Sequence, residues 1–115
     1  MILVVIGIFG CDDIVELEDI SRDAVTLIAP YNNAVLHTAT LNFTWEPVVD
    51  AENYQIQIAA PNFENPLQIV LDSTITTHNL LIDLESNSYE WRVKAKNQGY
   101  ETLYTQQAFT IEIEE

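Results

Sequence analysis

An all-β, two-sheet antiparallel sandwich of about seven strands is the fold this chain predicts, on three observations. Its apolar residues alternate with polar ones at period two, and no stretch shows the 3.6-residue period of an amphipathic helix. Turn-forming residues separate these stretches at intervals of about 8 to 12 residues, as in sandwiches. The clearest alternation sets Tyr89, Trp91, Val93 and Ala95 on one side and Glu90, Arg92, Lys94 and Lys96 on the other, the pattern of a half-buried central strand.

Composition limits the rest. The chain has 115 residues, 48% of them hydrophobic, enough for one core and no more. Eighteen acidic residues against four basic ones give a formal charge of −14, which argues against nucleic acid as a partner and against anionic membrane surfaces. The acids gather at the two ends: Asp12, Asp13, Glu16, Glu18, Asp19 and Asp23 at one, Glu112, Glu114 and Glu115 at the other. Cys11 is the single cysteine, so no disulfide can form within the chain. With two distant histidines and no second thiolate, neither a metal site nor a cofactor is expected.

Taken in order, residues 1–10 form a continuous apolar and small-residue run. It is shorter than the roughly 20 residues needed to span a bilayer, yet it suits the apolar core of an export signal. The four residues Ile8-Phe9-Gly10-Cys11 resemble the lipobox of bacterial lipoproteins, although the usual preceding Lys or Arg is missing. This resemblance implies a signal peptide over residues 1–10, acyl chains on Cys11, and an acidic tether over residues 11–23 leading to a domain over residues 24–115. The acid-rich segment 12–19 resembles the surface-export signals of Bacteroidetes-type lipoproteins, which implies an outer-membrane, cell-surface address in a Gram-negative bacterium. On the residues alone, the same run also reads as a buried strand with a small core cysteine, and the acids as a plain solvated tether.

Beyond Ala24 the strands follow. Val25, Leu27 and Ala29 alternate up to Pro30, Tyr31-Asn32-Asn33 supplies a turn, and residues 34–37 resume as an edge strand. Leu41, Phe43 and Trp45 share a face until Glu46-Pro47 ends the strand. Tyr54, Ile56 and Ile58 point one way, with Gln55 and Gln57 the other. Residues 61–66 read as irregular, with Phe63 their one large apolar group. A short strand over 67–71 is followed by a turn or crossing at Asp72-Ser73-Thr74. Leu80, Ile82 and Leu84 face inward in the next extended segment, with Leu81 outward. Residues 85–88 turn the chain into the Tyr89 strand, a loop surrounds Gly99, and the last strand runs from about Tyr104 to Ile113, with Phe109, Ile111 and Ile113 alternating with Thr110 and Glu112.

In order and spacing, Phe43-Thr44-Trp45-Glu46-Pro47, Tyr54-Gln55-Ile56-Gln57-Ile58, and Leu84 with Tyr89-Glu90-Trp91-Arg92-Val93-Lys94-Ala95 resemble strands B, C and F of a fibronectin type III domain. The likeness is greatest to the bacterial versions in surface lipoproteins, and it covers about residues 25–113. The usual Pro-Gly before the strand F tyrosine is replaced by Glu85-Ser86-Asn87-Ser88. The resemblance implies an immunoglobulin-like sandwich in which the Tyr89 hydroxyl bonds back to backbone near Leu84, while Trp45 and Trp91 meet between the sheets. Together with Tyr54 these residues form the expected structural core.

The functional candidates are fewer. Three glycines make no phosphate-cradling loop, the histidines stand alone, and the carboxylates lie in the tails or at outward positions, so no enzyme is expected. The loop with Asn97, Tyr100, Glu101 and Tyr104 is the candidate binding site, because tyrosines stack on sugar rings or anchor protein partners. Asn42-Phe43-Thr44 fits an N-glycosylation sequon that a bacterial chain would not use. Asp72-Ser73-Thr74 resembles the O-glycosylation motif of Bacteroidetes-type exported proteins, with Ser73 as acceptor. The resulting expectation is a non-catalytic, lipid-anchored envelope module, a spacer or an adhesive element for a glycan or another envelope protein. Two alternatives stand beside it: the N-terminal structural module of a longer surface protein, and a carbohydrate-active hydrolase or its accessory domain.

Overall fold

The computed structural model describes residues 17–114. The apolar run, the lipobox residues Ile8, Phe9 and Gly10, and Cys11 lie outside the described residues.

The described residues form eight strands and no helix: β1 (Leu27–Ala29), β2 (Ala34–Leu36), β3 (Thr40–Trp45), β4 (Asn53–Ala60), β5 (Gln68–Ile75), β6 (Asn79–Asp83), β7 (Asn87–Lys96) and β8 (Thr105–Ile111). Three make one sheet in the order β1-β3-β6, and five make the other in the order β2-β8-β7-β4-β5. The Tyr89 strand, β7, is the middle strand of the larger sheet. It pairs with β4 on one side, Ile56 opposite Val93, and with β8 on the other, Tyr89 opposite Phe109.

The eighth strand comes from a change of sheet. Pro30 lacks an N–H for the ladder, so β1 stops there, and the Tyr31–Asn33 turn carries the chain across. Asn33 takes a left-handed conformation, φ 66°, that asparagine tolerates better than most residues. The Asn32 carboxamide accepts from Ala108 N at 2.9 Å while Asn33 N donates to Ala108 O. These bonds set β2 parallel to β8, with Ala34 opposite Phe109, and break the all-antiparallel expectation at this one pair.

The core is an aromatic chain running through both layers. Phe43 meets Trp91 edge to face at 5.0 Å and Phe109 at 5.6 Å, Trp45 meets Tyr54 at 5.8 Å and Trp91 at 6.3 Å, and Tyr89 stacks on Phe109 at 5.1 Å. Edge-to-face and offset contacts at such distances match the ring quadrupoles and add to the gain from burial. Trp45 and Trp91 are fully buried, as are Ile56, Ile58 and Val93, and Leu84 lies with them in the core. The Tyr89 hydroxyl donates to Glu85 O at 2.7 Å, the backbone next to Leu84. Trp91 Nε1 donates to Pro30 O at 3.3 Å, tying the strand at the centre of one sheet to the end of β1 in the other.

Three details differ from expectation. The turn anticipated at Asp72-Ser73-Thr74 is part of β5, where Ser73 pairs with Ile56 and is half-buried; the bend comes later, over residues 76–78. Polar residues are tolerated here because β5 is an edge strand whose outward positions meet water. Ile113, expected to end the last strand, lies past the end of β8 and is exposed. Ile20 is 1% exposed, so packing of the sandwich begins within the acidic segment and not at Ala24.

Candidate functional site

The loop that leaves β7 is built on one side chain. Asn97 Oδ1 accepts from Gly99 N at 3.0 Å and from Tyr100 N at 2.9 Å, while Asn97 N donates to Tyr100 O. Its Nδ2 donates to Glu18 O at 2.9 Å and to Asp50 O at 3.3 Å. Asn97 therefore closes the turn and fastens the acidic segment to this end of the sandwich. Leu17 packs so near Gly99 that a Cβ there would fall 2.8 Å from its Cδ1. Thr102, the buried polar residue of the loop, accepts from Ala95 N at 3.0 Å and donates to Leu103 O at 2.8 Å, replacing ladder bonds where β7 ends.

The other loop candidates divide. Tyr100 is 39% exposed and Leu103 84% exposed, both on the surface. Glu101 turns back toward β7 and pairs with Lys94 Nζ at 2.6 Å. That hydrogen bond, with the ammonium charge behind it, holds the Glu101 carboxyl below the usual glutamate range. The Tyr104 ring also turns toward β7, with the Arg92 guanidinium carbon 4.3 Å and Lys94 Nζ 4.8 Å from its centroid.

Glu101 and Tyr104 thereby join a second surface, the outer face of the five-stranded sheet. Glu90, Arg92, Lys94 and Lys96 project from β7, with Gln57 and Gln55 beside them on β4 and Gln106 on β8. Arg92 Nε donates to Gln57 Oε1 at 2.7 Å, and the Phe63 ring covers the guanidinium at 4.0 Å. Cation and ring attract through the aromatic quadrupole. Glu90 Oε1 accepts from Phe63 N at 2.9 Å, which anchors the irregular segment over this face, and from Gln106 Nε2 at 3.3 Å. Lys96 Nζ reaches Gln55 Oε1 at 3.5 Å, and Gln55 Nε2 donates to Asp72 Oδ1 at 2.9 Å. The alternation of β7 marks its charged face in the sequence. That Phe63 and Tyr104 would close on Arg92 has no local signal, because the three belong to separate segments.

The surface depressions are shallow. One of about 440 Å³ is lined by Ala39, Leu84, Glu85, Ser86 and Ile113, with a single carboxylate, and another of about 200 Å³ lies between Pro30, Leu36 and Leu41. Neither gathers the acid, base and nucleophile that a hydrolytic site needs. Among the described residues no helix is long and apolar enough to cross a membrane.

With both surfaces described, comparison with known proteins bears on the fold. The fibronectin type III domain of the human collagen alpha-1(XX) chain superposes with a TM-score of 0.60 at 18% identity, covering 80% of this chain and 84% of that one. A fibronectin III-like protein from Clostridium thermocellum gives 0.51 at 24% identity, over 72% and 90%. The fibronectin(III)-like modules of Clostridium thermocellum CbhA give 0.50 at 14% identity, over 78% and 95%. No family model and no curated protein matches the sequence. The chain has the fibronectin type III fold, shared with domains of both animal and bacterial proteins.

Proposed function

We propose that the chain is a lipid-anchored envelope module that holds its sandwich away from a membrane, acting as a spacer with an adhesive surface for glycans or envelope proteins. The supporting observation is the join at Asn97. The acidic segment that follows Cys11 in sequence reaches the sandwich at one end, where Glu18 and Leu17 are held by the loop after β7. A pull on the tether is thus delivered to the end of the central strand, through which the five-stranded sheet is organised. Acyl chains on Cys11 would supply the membrane affinity that a chain of charge −14 lacks on its own surface.

The lipobox-like residues and the acidic run after the cysteine are what support an outer-membrane, cell-surface placement. A chain that continues into further domains is compatible with the same role, since a spacer serves whatever it carries. Metabolic labelling with palmitate tests the anchor. Label should enter the wild-type chain and be lost in Cys11→Ala, with the variant moving from the membrane to the soluble fraction. Unlabelled wild-type chain in the soluble fraction would overturn the reading.

A further inference from the structure

The outer face of the five-stranded sheet carries a cation, Arg92, that no carboxylate among the described residues neutralises. With 18 acidic residues available to four basic ones, ion pairs are easy to supply, yet the one salt bridge among the described residues is Lys94–Glu101. The acids nearest Arg92 on this face are engaged elsewhere: Glu90 by Phe63 N and Gln106 Nε2, and Asp72 by Gln55 Nε2. Arg92 is held by neutral groups, Gln57 Oε1 at Nε and the rings of Phe63 and Tyr104 over the guanidinium. Its plane is therefore set before any ligand arrives, which lowers the entropy lost on binding. Among the described residues nothing bonds to its two Nη groups, the pair whose fork matches a carboxylate.

The neighbours extend the pattern. Gln57, Arg92 and Gln106 lie opposite one another on β4, β7 and β8, at strand spacings of about 4.8 Å. Chemistry fixes the orientation of both amides. Gln57 accepts from Arg92 with its oxygen, so its Nε2 remains as a donor; Gln106 donates Nε2 to Glu90, so its Oε1 remains as an acceptor. Across about 10 Å the row reads donor, cationic fork, acceptor, a carboxylate site flanked by partners for hydroxyl groups.

The geometry points to an acidic-sugar site on this row, one uronate residue within an otherwise neutral glycan. The carboxylate lies on the Arg92 fork and ring hydroxyls on Gln57 Nε2 and Gln106 Oε1. The net charge of −14 disfavours a densely charged polymer, and a single carboxylate is what one unpaired guanidinium can balance. An acidic peptide is the poorer fit, since extended peptides gain most from backbone bonds at a sheet edge, whereas this row lies on the face of three interior strands. The inference rests on the reading of the domain as a binding module and not on the anchor.

The test is an NMR titration of the ¹⁵N-labelled 115-residue chain with an oligosaccharide alternating glucuronate and neutral hexose, then with the same oligosaccharide after reduction of its carboxyls to alcohols. The amides of Gln57, Arg92 and Gln106 should shift saturably with the first, and affinity should fall about tenfold or more with the second. Arg92→Lys, which keeps the charge and loses the fork, should weaken binding by a similar factor. Because the reduced oligosaccharide is tested on the wild-type chain, the outcome does not depend on a variant that folds. Equal affinity for both oligosaccharides, no shifts with either, shifts centred on the loop over residues 97–104, or tighter binding of an Asp-rich peptide at the same row would each overturn the proposal. Cys11→Ala should leave the titration unchanged, so failure of the site and failure of the anchor are read separately.

Discussion

Replacing Trp91 by alanine removes the residue on which both sheets converge. The side chain is fully buried, meets Phe43 edge to face at 5.0 Å and Trp45 at 6.3 Å, and donates from Nε1 to Pro30 O. Large-to-small changes at buried aromatics cost about 3 to 5 kcal/mol, the removed contacts and the residual cavity together. Loss of the Pro30 bond, with its carbonyl left without that partner, adds about 1 kcal/mol or more. Against a total stability of roughly 5 to 15 kcal/mol for a small domain, the variant retains a thin margin or unfolds. Urea denaturation followed by far-UV circular dichroism is the suitable assay, because the substitution removes one of the two tryptophans, Trp45 and Trp91, on which a fluorescence signal would rest. The midpoint should fall steeply with little change in slope. Trp91→Phe keeps a ring against Phe43 but loses the hydrogen bond, and should fall between the parent and the alanine variant. A Trp91→Ala midpoint equal to the parent's would refute the placement of this residue at the junction of the sheets.

Other outcomes follow from single bonds. Tyr89→Phe should lose about 1 kcal/mol, the usual net worth of one hydrogen bond, here that to Glu85 O, with the fold retained by crystallography or NMR. Thr102→Ala should cost about 1 to 3 kcal/mol in chemical denaturation, because Ala95 N would be buried without its acceptor, and Thr102→Ser should recover most of it. Carboxyl NMR should find Glu101 titrating below ordinary glutamates, and Lys94→Met should return it to their range. A depressed folded-state pKa means that the unfolded chain binds the proton first as pH falls. The contribution of the Glu101 contact is therefore present above the ordinary glutamate range and is lost as pH drops through the folded value. Tyr89 has the opposite sense. Burial, aided by the charge of Glu85, raises its hydroxyl pKa, so its contribution holds below the ordinary tyrosine range and fades as pH rises through the folded value.

Much of the sandwich is written in local alternation. β7 from Tyr89 to Lys96 and β4 from Asn53 to Ile58 carry period-two patterns because both faces are defined, one by the core and one by a polar surface, and the structure pairs them side by side. The parts that escape such reading have specific causes. Asp72-Ser73-Thr74 has the composition of a turn, yet an edge strand accepts it where a central one would not. β2 is three residues long, and its parallel pairing depends on Asn32 and Asn33 meeting Ala108, a distant contact with no periodic trace. Ile20 is one of several apolar residues scattered among acids, with Ile14, Val15 and Leu17, and no period there tells that Ile20 is buried while Leu17 is left exposed. The candidate surface is partly legible: the outward bases of β7 show in its alternation, and Tyr104 shows as an aromatic beside a loop. The closure of Phe63 and Tyr104 on Arg92 is a product of tertiary packing, and so is the role of Asn97 as the fastening of the loop.

The proposed envelope role is tested most directly by protease added to intact cells expressing the chain. A lipid-anchored module held outside the outer membrane should be removed by the protease while a periplasmic control protein survives, and should be found in the membrane fraction of untreated cells. A chain that stays whole in intact cells and is cut only after lysis would contradict the cell-surface placement.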